Sequence, residues 1–383
     1  MLNKINPIVK DISVPGIRVF ANKVSEYSNG INLTIGQPDF PTPTRVKDAG
    51  IKAIENNLTG YSHNAGLLPL REAVSNFFHE KYGFLYDPYE EIIITNGASE
   101  AIDSVLRTII TPGDEVILPI PSYSGYESII QLSGGKIVTL DTTKTNFIPD
   151  PDDLEKIISS KTKAIILNFP SNPVGVSLRK EQIEPLVRLL SKHKIFILSD
   201  EIYSENVFDF DHISFASYPE IRPQLLLLHG LSKSHAMTGW RLGYVLGDQK
   251  VIEQVLKVHL NNSICASLPS QYAAIDALNN CRNAPENMNR AYIERRDYVY
   301  NRLTEMGLHA LKPNGTFYIF PSIQHTKLSS LEFATRLLEE QYTAVVPGSA
   351  FRAEDYIRIS FANSMENIKE GLDRIEAFIY SLK

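Results

Sequence analysis

KIFILSDEIY (194–203) and QLLLLHGLSKS (224–234) each run an unbroken apolar segment straight into a polar cluster. Segments this continuous in Ile, Leu and Val are expected of strands buried on both faces of a parallel sheet. Outward from them lie EIIIT (91–95), EVILPI (115–120), KIVTL (136–140) and KAIILNF (163–169), all of the same kind. Helical patterns separate them: SEAIDSVLRTII (99–110), PDDLEKIIS (151–159) and KEQIEPLVRLLSKH (180–193). The alternation predicts a layered α/β domain with a mostly parallel sheet between helices and right-handed crossovers. After about residue 250 the texture changes to long helical stretches (250–262 and 268–304), then strand-like TFYIFP (316–321) and DYIRISFA (355–362). A helical pattern, NIKEGLDRIEAFIYSLK (367–383), follows. The expected organisation is a large domain over 41–280, with 1–40 and 281–383 forming a smaller α+β domain from the N-terminal arm and the C-terminal part.

Composition narrows the function classes. The 383 residues are 43% hydrophobic and 21% charged, the balance of a globular protein rather than a disordered one. A net charge of −6 gives no electrostatic case for nucleic acid or an anionic membrane surface. No apolar run approaches the ~20 residues of a membrane helix. The first segment is interrupted by Pro7, Asp11 and Pro15, which argues against a secretory signal. Two cysteines, Cys265 and Cys281, cannot build a disulfide framework or a zinc site, so a reducing, cytoplasmic setting is expected, with both thiols inert and buried. The nine histidines show no HExxH or paired metal spacing, and no metal is expected.

In open parallel sheets ligands bind beyond the carboxyl ends of the strands, which directs attention to four places. Asn96-Gly97-Ala98-Ser99 follows EIIIT and opens a helix, a phosphate seat if free N–H groups and the positive dipole end face a ligand. Ser99 as a plain helix cap is the competing reading. Pro170-Ser171-Asn172-Pro173 fixes a turn that aims Asn172 at the strand ends, although turn formation alone accounts for an Asn there. Asp200 follows a fully apolar strand, a costly position unless a cation or hydrogen-bond donor awaits it. Ser232-Lys233-Ser234 places a lysine where desolvation would supply the neutral amine that attacks carbonyls. Arg241, eight positions on, can fork onto a phosphate. What lifts these above their bland readings is that all fall at strand ends of one sheet.

SDEIY (199–203), LSKSHAMTGWRLGY (231–244) and NPVG (172–175) resemble the signature of the fold-type I, pyridoxal-phosphate-dependent class I/II aminotransferases. LTIGQPDFPTP (33–43), GYSHNAGLLPLREAV (60–74) and IRISFA (357–362) extend the resemblance over essentially the whole chain. It implies the roles that follow. Lys233 matches the lysine that bonds the aldehyde of pyridoxal 5'-phosphate and then shuttles a proton. Asp200 matches the carboxylate on the pyridine nitrogen; Tyr203 and Asn172 match the donors to the ring's phenolic oxygen. Tyr123 matches the aromatic residue stacked on the ring. Gly97, Ala98, Ser99, Ser232 and Arg241 match the phosphate cup, completed by Tyr61 from the neighbouring subunit of a homodimer. Arg358 matches the arginine on the substrate α-carboxylate, with Gly36 backing it. The implied reaction is ping-pong exchange of an amino group between an amino acid and a 2-oxo acid.

TIGQPDFPTP, SDEIYSE, GLSKSHAMTGWR and KPNGTFYIFPSI are most similar to the bacterial N-acetyl-LL-diaminopimelate aminotransferases of lysine and peptidoglycan precursor synthesis. Branches acting on aspartate or aromatic amino acids share most of these motifs. Gly230 departs from aspartate aminotransferases that carry a phosphate-binding serine three positions before the lysine. A pyridoxal-phosphate C–S β-lyase on the same scaffold is the nearest rival activity. GASEA (97–101) and GLSKS (230–234) lack the second glycine of a serine-hydrolase elbow, and no P-loop motif occurs. Met237, Trp240 and the Tyr292–Tyr300 face read as packing.

Overall fold

The computed structural model of the chain describes residues 1–12 and 16–382; Pro15 and Lys383 of the segments discussed above lie outside them. The described residues form twelve strands: β1 (Ile31–Asn32), β2 (Ile92–Thr95), β3 (Glu115–Ile120), β4 (Lys136–Asp141), β5 (Thr162–Asn168), β6 (Phe196–Asp200), β7 (Leu225–Gly230), β8 (Gly243–Gly247), β9 (Tyr318–Ile319), β10 (Thr343–Ala344), β11 (Val346–Pro347) and β12 (Ile357–Ser360). Seven build one sheet in the order β2-β8-β7-β6-β5-β3-β4. Its pairs are parallel except those of β8, which runs antiparallel to β2 and β7. The six apolar runs are its other six members. β8 is the strand the reading left inside the LSKSHAMTGWRLGY motif; its sequence, GYVLG, is short and glycine-bounded, with little apolar signal of its own.

Side-chain alternation explains why these strands read as unbroken apolar runs. Ile92, Ile94, Ile117, Ile165, Leu167, Ile197, Leu225, Leu227, Tyr244 and Leu246 enter one core cluster. Their neighbours Ile93, Val116, Leu118, Ala164, Ile166, Leu198, Leu226, Leu228 and Val245 enter another on the opposite face. With both faces covered, every position must be apolar, and the period of two disappears from the sequence.

Helices cover the sheet where their caps predict. Asp150 accepts from the amides of Asp152 and Asp153 at the start of Pro151–Ile157, and Asp248 accepts from the Lys250 amide at the start of Gln249–Ser263. The stretch expected as one helix over 268–304 is two, Leu268–Asn280 and Ala284–Glu305. Cys281 ends the first in a non-helical conformation, and Pro285 in the first turn of the second cannot donate to a continuing ladder.

β9, β11 and β12 form a separate three-stranded antiparallel sheet, and β1 pairs in parallel with β10. Of TFYIFP only Tyr318–Ile319 is strand. Phe317, Ile319, Ile357 and Ile359 join Phe333, Leu337, Leu372 and Phe378 from the helices Ser330–Gln341 and Met365–Ser381 in another core cluster. Leu33 from the N-terminal segment packs in that same cluster. Among the described residues no helix is long and apolar enough to cross a membrane. Cys281 is buried as expected, but Cys265 is only partly so. Met237 is fully buried and Tyr292 is too, in keeping with packing roles.

Candidate active site

The strand ends of the large sheet converge on a cavity of about 760 Å³. β2, β5, β6 and β7 present their carboxyl ends to it, and the reversed β8 begins at the same edge, two residues after Arg241. Gly36, Ala98, Ser99, Tyr123, Asn172, Asp200, Tyr203, Ser232, Lys233, Arg241 and Arg358 all line it, from segments spread across more than three hundred residues.

Lys233 sits just beyond β7 with Nζ donating to the Gly36 carbonyl at 2.6 Å. Burial lowers its ammonium to a pKa of about 8, helped by the nearby positive charges of Arg358 and Arg241 and opposed by Asp200. The neutral amine is therefore populated near physiological pH. Asp200, the last residue of β6, is buried, and burial pushes its carboxyl up even though Tyr126 and the Ile202 amide donate to it. The Tyr126 hydroxyl reaches Oδ2 at 2.6 Å and the Ile202 amide reaches Oδ1 at 3.2 Å. A carboxylate in this state lacks a full counter-charge and would gain most from a cationic N–H. Its neighbour Glu201 is equally buried but is occupied structurally, accepting from Ser199, His212 and the Phe215 amide.

The helix Ala98–Ile109 begins at the cavity. Its cap is Gly97, with φ of 83° and no side-chain cap bond, so Ser99 is not the cap and lines the cavity instead. A Cβ at Gly97 would stand 2.6 Å from Arg241 Nη2, so glycine is what lets the guanidinium lie against the helix start. Arg241 also donates to the Thr238 carbonyl at 2.9 Å. Gly230 pairs with Gly243 across β7 and β8, and a Cβ at Gly230 would meet the Leu242 carbonyl at 2.9 Å. A serine there is sterically excluded, which explains this chain's departure from enzymes that carry one.

Arg358, on β12, is fully buried. Nη1 donates to Asn172 Oδ1 and Nη2 to the Thr34 carbonyl, both at 2.8 Å, and the guanidinium lies 4.2 Å from the Tyr318 ring centre. Its Nε has no hydrogen-bond partner among the described residues, a buried donor awaiting an acceptor. The Thr34 carbonyl accepts from Arg358, and Gly36, two residues on, lines the same cavity with its carbonyl accepting from Lys233. Tyr203 is buried with its hydroxyl 2.9 Å from that of Tyr318, and burial raises its pKa well above the ordinary phenol value.

Two expected members are set apart. Gly97 contributes backbone shape rather than lining. Tyr61 does not line the cavity and is 80% exposed. Three cavity residues escaped the sequence reading: Tyr126, which holds Asp200; Tyr318, which holds Tyr203 and stacks on Arg358; and Asn168, whose side chain donates to the Asp200 carbonyl at 3.0 Å and accepts from the Asn172 amide at 3.0 Å. Asn168 carried a readable signal, a polar residue closing an apolar strand. Tyr126 and Tyr318 looked like core aromatics.

A lysine of lowered pKa, an under-compensated carboxylate, a helix start beside a guanidinium and a buried guanidinium with an unfilled donor form a set that suits a phosphorylated pyridine aldehyde and an amino-acid carboxylate. The chain belongs to the family described as aminotransferase class I and II, which matches residues 28–375. It is a transaminase of fold type I, acting on amino acids and 2-oxo acids with pyridoxal phosphate. Among its relatives, a protein of Bacillus subtilis named "Probable N-acetyl-LL-diaminopimelate aminotransferase" is 48% identical, covering 99% of this chain and 96% of that one. Aromatic-amino-acid aminotransferase 2 of Thermococcus litoralis is 41% identical, covering 92% of each. The structure of Thermus thermophilus aspartate aminotransferase with maleate superposes with a TM-score of 0.93 at 33% identity, covering 97% of this chain and 99% of that one.

Proposed function

We propose that this transaminase exchanges the amino group of N-acetyl-LL-2,6-diaminopimelate with 2-oxoglutarate, in the synthesis of lysine and peptidoglycan precursors. The observation that carries the reading is the 48% identity along 99% of the chain to the Bacillus subtilis relative of that name. Aspartate and aromatic aminotransferases among the relatives keep a broader specificity as the second reading. In the same proposal the protein works in the cytoplasm as a homodimer, with a large domain over 41–280 and a smaller one from 1–40 and 281–383.

Bound pyridoxal phosphate supplies an electrophilic carbonyl and a ring that withdraws electrons from the substrate Cα. Lys233 Nζ takes the proton leaving Cα, a task its depressed basicity suits. Arg358 grips the α-carboxylate with the donor it leaves unfilled, and Asn172 orients that guanidinium. Asp200 keeps a proton on the pyridine nitrogen, held in place by Tyr126. Arg241, Ser99, Ser232 and the Ala98 amide would take the phosphate, with Gly97 shaping the helix start that presents them. Tyr203 and Asn172 would hold the phenolic oxygen, Tyr123 would pack against the ring, and Tyr61 would complete the partner subunit's site.

The test offers the holoenzyme single amino donors and follows the visible absorbance of the lysine-bound cofactor. Conversion by glutamate and N-acetyl-LL-diaminopimelate, with slow conversion by aspartate and phenylalanine, is the expected result. Fast conversion by aspartate or phenylalanine overturns the narrow specificity. Release of pyruvate and ammonia from a cysteine conjugate would make the protein a β-lyase.

A further inference from the structure

Beside the phosphate seat lies a buried cluster that none of the roles above uses. Glu100 stands in the first turn of the helix Ala98–Ile109. Its Oε2 accepts from the Asn96 amide at 2.6 Å and from the Asn96 side chain at 3.2 Å. Its Oε1 accepts from Ser263 at 2.9 Å and lies 2.6 Å from Nδ1 of His259. His259 comes from the helix Gln249–Ser263 and is completely buried. Its other nitrogen, Nε2, lies 3.0 Å from the carbonyl oxygen of Asn64.

A carbonyl oxygen can only accept, so Nε2 carries a proton. The Glu100 carboxyl already accepts at both oxygens, and its hydrogen bonds to His259, Asn96 and Ser263 hold it below the usual carboxylate range against the pull of burial. An ionised Glu100 requires a proton on Nδ1 as well. With Nε2 protonated, the 2.6 Å contact between Nδ1 and Glu100 Oε1 holds one further proton between them, which cancels the Glu100 charge within the pair.

That charge matters because of where Glu100 sits. A bare carboxylate in the first turn would occupy the positive end of the helix and repel a dianion arriving at the same end. Paired with His259 through the shared proton, it is neutral toward the ligand and still clamps Asn96, whose carbonyl faces Arg241 Nη2 at 3.5 Å. The ring's second bond runs to Asn64, three residues after Tyr61, and the Asn64 side chain donates to the Ile264 carbonyl at 3.0 Å.

We propose that His259 is a positioning residue of the phosphate seat: through the proton it shares with Glu100 it cancels that residue's charge at the anion-binding helix start, and it ties that seat to the loop carrying Tyr61. The inference rests on the reading of residues 97–99 and Arg241 as the phosphate cup.

Three measurements on the holoenzyme test it. In the wild type, the ring of His259, identified by its loss in H259F, should show a protonated Nε2 and a strongly downfield proton shared between Nδ1 and Glu100 in ¹H and ¹⁵N-histidine spectra; an Nδ1 with no shared proton overturns the proposal. Cofactor loss on dilution should show pyridoxal phosphate bound about tenfold more weakly in H259F, equivalent to about 1.4 kcal/mol. The double variant E100Q/H259F should recover most of that affinity, because the uncompensated charge is gone. Wild-type affinity in H259F, or no recovery in the double variant, overturns the proposal. R241A separates the two readings. Weak binding in R241A with normal binding in H259F defeats the His259 role alone, whereas normal binding in both defeats the phosphate cup itself.

Discussion

Lys233 illustrates how one side chain acquires chemistry from its surroundings. An exposed lysine would be almost wholly protonated at neutral pH; here burial and two arginines bring its pKa to about 8. Capture of added pyridoxal phosphate by the apoenzyme should accelerate about tenfold per pH unit below that value and level off above it. Stopped-flow absorbance across pH 6–10 checks this, and a rate still climbing at pH 10 would mean an ordinary lysine. Arg358→Ala removes a buried fork on the substrate carboxylate worth about 2–4 kcal/mol. Its effect should fall on kcat/KM for amino and 2-oxo acids alike, with cofactor binding nearly unchanged, as steady-state kinetics and a cofactor titration would reveal. Tyr126→Phe deletes the 2.6 Å bond to Asp200 and lets that carboxyl rise further. A hydrogen bond to a charged group contributes about 1.5–3 kcal/mol, so kcat should drop about 10- to 100-fold. An unchanged kcat would remove Tyr126 from the site.

At the scale of elements, the site depends on how closely the helix Ala98–Ile109 can approach the sheet. β8 makes the approach through Gly243, where a Cβ would run into the Ala98 amide and stand 3.0 Å from Gly97 Cα. Gly243→Ala should therefore displace the helix start from Arg241 and weaken cofactor binding, while β7 and β8 stay paired. Cofactor retention on gel filtration, together with a thermal melt, distinguishes that local effect from unfolding. The element scale is also where the sequence spoke most clearly. Five strands of the large sheet announced themselves because burial on both faces demands uninterrupted apolar residues, and the edge strand β4, exposed at Lys136, Thr139 and Asp141, showed through its Ile, Val and Leu. β8 did not, because two glycines bound it and its neighbours shield it. The break at Cys281 was equally hidden, since the helical spacing of apolar residues continues on both sides of it.

For the whole molecule, the exposure of Tyr61 outside its own chain's cavity is the feature to test. If it completes the partner's phosphate cup, Tyr61→Ala and Lys233→Ala chains should restore activity when unfolded and refolded together, because the mixed dimer contains one unaltered site. Activity no higher than that of the separate variants would place Tyr61 outside the chemistry. Lys233, Asp200, Asn172, Arg241 and the helix start at Gly97 were legible in the sequence because each sits at a strand end, where polar groups following apolar runs are costly without a purpose. Local order thus determined the α/β class, the strand ends that carry the chemistry and, through the motifs, the family. Only the tertiary structure decided which carbonyl supports Arg358, which tyrosine holds Asp200 and that His259 meets Glu100 across 159 residues of chain. Those contacts join segments with no shared periodicity, and their strength comes from burial, which a linear sequence does not display.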